Sequence, residues 1–183
     1  MASSPPRGGA GDLDSHILPR INVFGTPLLP APVPPGGPTT GFFRQNYCDA
    51  SPLDPASHTV AAVVTPEFLD FSASHGNDLR PLFPSLRSPS SSQQPCVWCL
   101  CAARWAEALF HHRERGLPAS IVPRIVLEAT HEQALVDSGV DLGEMEKWAV
   151  GGDGTGGLPG GGGEGGATGE GGRATGARET VGR

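Results

Sequence analysis

Two short runs of this chain are apolar on both faces of a strand, and each passes directly into a stretch whose apolar positions recur at helical spacing. In residues 97–102, Trp98 and Leu100 share one face while Val97, Cys99 and Cys101 share the other. Apolar positions on both faces suit a strand covered on both sides. Beyond it, Trp105, Ala108, Leu109 and His112 fall at i, i+3, i+4 and i+7, leaving Arg104, Glu107, His111 and Glu114 for the wet face. This predicts a helix over 103–115, stopped by Gly116 and Pro118. The β-branched run 58–64 (HTVAAVV) predicts a second strand. Thr65 follows as N-cap, with Pro66 at the first helical position and Glu67 near the positive helix end. That helix runs to about residue 74 and buries Phe68, Leu69 and Phe71, with Gly76 ending it. Residues 122–129 predict a third strand. Thr130-His131-Glu132-Gln133 then fits the capping-box pattern at the start of a helix, and residues 141–150 hold a further turn or two.

Between these units the signals are weaker. The proline-rich run 21–40 is expected to cross the surface extended, anchored by Val23, Phe24 and Leu28. Residues 41–48 (GFFRQNYC) read as a short strand or hairpin arm, and residues 79–95 as a loop. Three strand–helix units favour an α/β or α+β fold: a single small domain with a mixed or partly parallel sheet and flanking helices.

Composition sets the bounds of that domain. Of 27 glycines in 183 residues, 16 lie in residues 151–183, a stretch with almost no large apolar side chain. Such a tail buries too little surface to offset chain entropy, so it is expected to be disordered, as are residues 1–20. The folded unit is then residues 21–150. It carries 13 acidic and 8 basic side chains, most of the net charge of −6. No basic run interleaved with aromatics occurs, which argues against nucleic acid as a partner. No apolar run approaches the roughly 18 residues of a membrane span, and the N-terminus has no signal-peptide core. Four cysteines without secretory features suit a reducing, cytoplasmic setting. A small molecule, or a second copy of the chain, is the partner left open.

Several motifs occur together in one order. They are Asn22-Val23-Phe24-Gly25, Thr40-Gly41-Phe42-Phe43-Arg44, Tyr47-Cys48, His58-Thr59-Val60, Glu67-Phe68-Leu69, Gly76-Asn77-Asp78-Leu79, Trp98-Cys99-Leu100-Cys101-Ala102 with Arg104-Trp105, and Val126-Leu127-Glu128-Ala129-Thr130-His131-Glu132. In this the chain resembles a small bacterial-type family of domains of unknown function, family 2237, over about residues 22–137. The resemblance implies a domain boundary and no activity, cofactor or enzyme class. It would also place cysteines at Ala61 and near Ala31, Tyr-Arg-Asp-Gly at residues 43–46, and a Gly-Asp turn in place of Gln94-Pro95-Cys96-Val97.

Candidate chemistry is sparse, with no GxSxG, HExxH, Walker or GxGxxG pattern. Cys99 and Cys101 could form a metal or redox pair. Their Cα atoms would stand about 6.6 Å apart in a strand, near the far limit for a disulfide, and the alternative is a pair of buried free thiols acting as small hydrophobes. A thiolate metal site would add Cys48 and a histidine. His131, at a helix start, is held neutral by the helix dipole and could serve as base or ligand; alternatively it helps the cap and packs. In a parallel sheet, pockets form at the carboxyl ends of strands. That rule would gather Thr65, Glu67, Arg104 and His131, with Arg44 folded over the edge as an anion contact. Asp78 belongs to a turn that could also be a ligand loop. His58 would lie about 20 Å away at the other end of its strand, unless the strands run antiparallel. The sequence thus favours a small polar or anionic ligand bound by His131, Arg104, Glu67, Arg44 and Asp78. A noncatalytic interaction or self-association module, or a Cys/His metal site, is the alternative.

Overall fold

The computed structural model describes residues 14–33, 37–81 and 97–151. Its regular elements are β1 (Val60–Val63), α1 (Pro66–Ser74), β2 (Val97–Leu100), α2 (Ala102–Arg115), β3 (Arg124–Ile125), α3 (Gln133–Ser138) and α4 (Leu142–Lys147). Nearly all of the Gly-rich tail, most of residues 1–20, most of the 79–95 loop, and Cys96 lie outside the described residues.

The fold is α+β, built on one three-stranded sheet in the order β2-β1-β3. All its strand pairs are antiparallel. The one parallel contact among the described residues is an isolated bridge between Ile125 and Ala149. Strands followed by helices suggested parallel crossovers, but β2 enters opposite Val63, where β1 leaves. Every position of β1 and β2 is buried. Val60, Ala62, Trp98 and Leu100 face the helical side, packing with Phe68, Leu69, Trp105 and Leu109. Ala61, Val63, Val97 and Cys99 face the other side, against Ala31, Cys48 and Ala129. Ala31 and Ala61, where the family resemblance placed cysteines, thus line the cluster that holds Cys48 and Cys99.

The helix signals translate directly. Thr65 Oγ1 accepts from the Phe68 N–H at 3.2 Å, capping α1. Trp105 is fully buried and donates its indole N–H to the Pro123 carbonyl at 3.0 Å. Gly116 ends α2 in the left-handed region at φ 68°, where a Cβ would be strained. Asp141 caps α4 through the Glu144 N–H.

Four expectations need correction. The third strand pairs only over Arg124–Ile125 and turns into a single 3-10 turn at Leu127–Ala129; Pro123, lacking an N–H, shortens it at the start. Thr130 is not a helix cap. Its hydroxyl accepts from the Ala61 N–H and donates to the Val126 carbonyl, so α3 starts later, at Gln133. Residues 41–46 form turns and bends rather than a strand. They wrap so tightly that a Cβ on Gly41 would sit 2.1 Å from the Tyr47 carbonyl oxygen. Of the three expected anchors, Val23 and Leu28 are buried, but Phe24 is 44 % exposed.

Cys48 and Cys99 are joined by a disulfide, with Cα atoms 5.2 Å apart. Cys99 is therefore neither a free core thiol nor available as a thiolate ligand, and the bond stands against a reducing compartment inferred from cysteine usage alone. No helix among the described residues is long and apolar enough to cross a membrane.

Candidate active site

Antiparallel pairing changes which residues meet. Because Val60 pairs with Leu100, the start of β1 lies beside the end of β2. The ladder closes there with the Ala102 N–H donating to the Ser57 carbonyl at 2.9 Å. His58, Cys101 and the first turn of α2 are thereby brought to one edge of the sheet.

Asp54 organises this edge. The residue is 5 % exposed. Its carboxylate receives the His58 backbone N–H at 2.7 Å, the Ala56 N–H at 3.2 Å and the His58 Nδ1 at 2.9 and 3.0 Å. Nδ1 therefore carries a proton toward Asp54, and Nε2 is the nitrogen left for a second partner. The Cys101 side chain lies within electrostatic reach of the same ring. That contact is the largest influence on the ring. With the Asp54 carboxylate, and against the opposing effect of burial, it raises the His58 pKa from 6.5 to about 9. Phe42 stacks alongside, with ring centroids 6.4 Å apart.

Cys101 is half-buried and is the free cysteine among the described residues. It occupies the N-cap position of α2, but its side chain makes no capping bond. Its carbonyl takes the Arg104 and Trp105 N–H groups. Ser57, between Asp54 and the strand, sits at φ 50°, a costly conformation for a residue with a side chain. It is held there by the Ala102 and Thr59 N–H groups on its carbonyl and by its own hydroxyl, which donates to Asp137 at 2.5 Å. An open cleft of about 430 Å³ adjoins the group, lined by Ser51, Pro52, Asp54, Ser57, Ala103 and Asp137.

The residues singled out from sequence are dispersed. Glu67 is exposed in the first turn of α1, beyond the far end of β1. His131 lies beside Thr59 at its near end, through a 3.0 Å backbone bond. The span from Thr59 to Val64 alone is about 17 Å at a strand's rise. His131 is 2 % exposed, and both ring nitrogens are used. Nδ1 accepts from the Gln133 N–H at 3.0 Å, so Nε2 bears the proton and donates to the Pro19 carbonyl at 2.9 Å. Burial lowers its pKa, keeping the ring neutral. This is the capping and packing role. Arg104 is at the Cys101 end, but it bonds Glu107 at 2.8 Å and the His75 carbonyl at 3.2 Å. Arg44 is exposed, with its guanidinium 5.3 Å from the Trp98 ring centre. Asp78 pairs with Arg80. Among the described residues, no group of three or more His, Cys, Asp or Glu side chains is placed to hold a metal ion, which falls short of the three protein ligands of a catalytic zinc site.

His58 and Asp54 are the residues that sequence reading did not select. Their signal was a buried-type carboxylate four positions before a histidine, in a proline-rich turn leading into a strand. It became legible only once the strand direction was known.

A family model described as an uncharacterized protein conserved in bacteria (DUF2237) matches residues 21–149. The chain belongs to that family. The DUF2237 match takes in Asp54, His58, Cys101 and the whole sheet, and it runs to the end of α4. Contacts reach further back, since Pro19 holds His131 and Arg20 pairs with Asp49 at 2.7 Å. No curated protein matches the sequence.

Proposed function

We propose that this DUF2237 domain is a thiol-dependent catalyst acting on a small polar molecule. Cys101 is the nucleophile, His58 its proton partner and Asp54 the group that orients the imidazole. The observation that carries this reading is the chain of contacts from a buried carboxylate, through a histidine fixed at Nδ1, to an uncapped cysteine at the start of a 14-residue helix. A nucleophile within reach of a base that a third group orients is the recurring arrangement of covalent catalysis. Strain at Ser57, next to the histidine, supports a functional edge. The cleft beside it gives a small polar molecule room to approach. An interaction module built on an apolar patch is less favoured, because Trp98 and Trp105 are 5 % and 0 % exposed.

The test is alkylation of Cys101 by iodoacetamide at neutral pH, followed by peptide mass mapping that separates Cys101 from Cys96. His58→Ala should slow the reaction at Cys101 by about tenfold or more, in line with the range over which charged neighbours tune thiol reactivity. Equal rates in folded wild type and variant would remove the proposal.

A further inference from the structure

We propose that the Cys48–Cys99 disulfide is a redox latch. Oxidised, it holds residues 37–48 against β2; reduced by a dithiol, it releases them. The inference is independent of the chemistry assigned to Cys101. β2 is an end strand of the sheet, and an open strand edge offers unpaired backbone groups to other chains. Residues 37–48 lie against it without forming a helix or strand of their own. Their hydrogen bonds turn inward. The Thr40 N–H donates to Asn46 Oδ1 at 2.9 Å, the Asn46 N–H to the Thr40 carbonyl at 3.0 Å, and the Arg44 N–H to the Gly41 carbonyl at 3.1 Å. Toward β2, Thr40 Oγ1 accepts the Cys99 N–H at 2.8 Å, the Arg44 guanidinium lies 5.3 Å from the Trp98 ring centre, and Cys48 is bonded to Cys99.

The packing beneath this segment is thin. Besides the two cysteines, the buried cluster on that face is alanine and valine, whereas the helical face carries Phe68, Leu69, Trp105 and Leu109. Small side chains each remove little apolar surface from water. The cross-link, between residues 51 positions apart, therefore carries a large part of the docking. Arg44 and Asn46 sit at φ 58° and 64°, costly conformations for residues with side chains. A strained turn on a thin cluster comes away locally once its cross-link is cut, while the helical core stays.

The exchange balances with a dithiol as reductant. Both sulfurs are at most 1 % exposed, so the segment must lift transiently before a thiolate reaches them. That thiolate attacks one sulfur, the S–S bond breaks, and the other cysteine leaves as a thiol. The reductant's second thiol then closes on the mixed disulfide and frees the first cysteine. Two electrons and two protons pass to the protein, and the reductant becomes a cyclic disulfide.

The test is limited trypsin digestion of the full chain, oxidised and after dithiothreitol without denaturant, with mass mapping of cut sites and alkylated cysteines. Arg44 is exposed on the segment. Reduced protein should be cut after Arg44 about 30-fold faster or more, the equilibrium shift that losing such a cross-link implies. Cutting after Arg104 in α2 and Arg124 in β3 should stay slow, and reoxidation should restore the slow rate at Arg44. Cys48→Ala with Cys99→Ala should match the reduced protein without any reductant; if that variant does not fold, reduced wild type carries the comparison. Equal rates at Arg44 in the two redox states would overturn the latch. If all three sites accelerate together, the bond holds the whole domain and local release is overturned. If Cys48 and Cys99 are reduced only in denaturant, the bond is a fixed staple and redox control is overturned.

Discussion

Two histidines, both near the start of β1, are set to opposite roles by their partners. His131 has each nitrogen satisfied by backbone inside the fold, and burial depresses its pKa below 6.5. The folded state therefore prefers the neutral ring. Its contribution to stability is present above the unfolded value of 6.5 and is lost as pH falls below it toward the lower folded value. His131→Asn should cost about 1–3 kcal/mol, since buried backbone partners are left unmet. The Cys101 alkylation rate per folded molecule should not change. Denaturant unfolding with alkylation of the same samples checks both. A stable variant with a slow thiol would instead make His131 part of the site. The sequence marked His131 as notable, but it could not show that Pro19, 112 positions earlier, occupies its second nitrogen. His58 was hidden for the converse reason: its importance comes from Cys101, and only strand pairing supplies that neighbour.

Among the elements, those built from local signals were the legible ones. Thr65-Pro66 opens α1, Gly116 closes α2, and the alternation of residues 97–100 places Trp98 and Cys99 on opposite faces, because each depends on neighbours within a turn or two. Thr130 shows where that logic stops. A capping box and a sheet-edge hydroxyl have the same local sequence, and the bond from the Ala61 N–H, 69 residues away, decides between them. The two readings predict different sizes of effect. Cap loss would cost about 1 kcal/mol. Thr130 is fully buried, and Thr130→Ala strands the Ala61 N–H in the sheet, so about 2–3 kcal/mol is expected, toward the upper end for an unsatisfied buried donor. Thr130→Ser, which keeps the hydroxyl, should recover most of it. Urea melts of the pair settle the matter, and an equal loss in both would point to the methyl group's packing instead.

At the scale of the whole molecule, sheet direction determined which candidate site exists. A parallel sheet would have collected the carboxyl ends of strands. The antiparallel one sets the end of β2 against the beginning of β1, while the Cys48–Cys99 bond ties the segment before the Asp54 turn to the middle of β2. Nothing within either strand's own sequence fixes that direction. Asp54, His58 and Cys101 meet only when the turn, β1 and β2 are all in place, so the state of the His58 ring reports on the assembled site. The most direct measurement is an NMR titration of the His58 ring in the wild-type protein and in Cys101→Ser. In wild type the midpoint should lie at about 9, far above the ordinary 6.5, with Cys101 the largest cause. Cys101→Ser should bring it clearly down, while the Asp54 bond keeps it above the free value. Because the folded pKa is raised, the stability this ring contributes is present below pH 6.5 and disappears as pH rises through 9. A wild-type midpoint near 6.5 that ignores Cys101→Ser would contradict the contact between the two residues, and with it the proposed site.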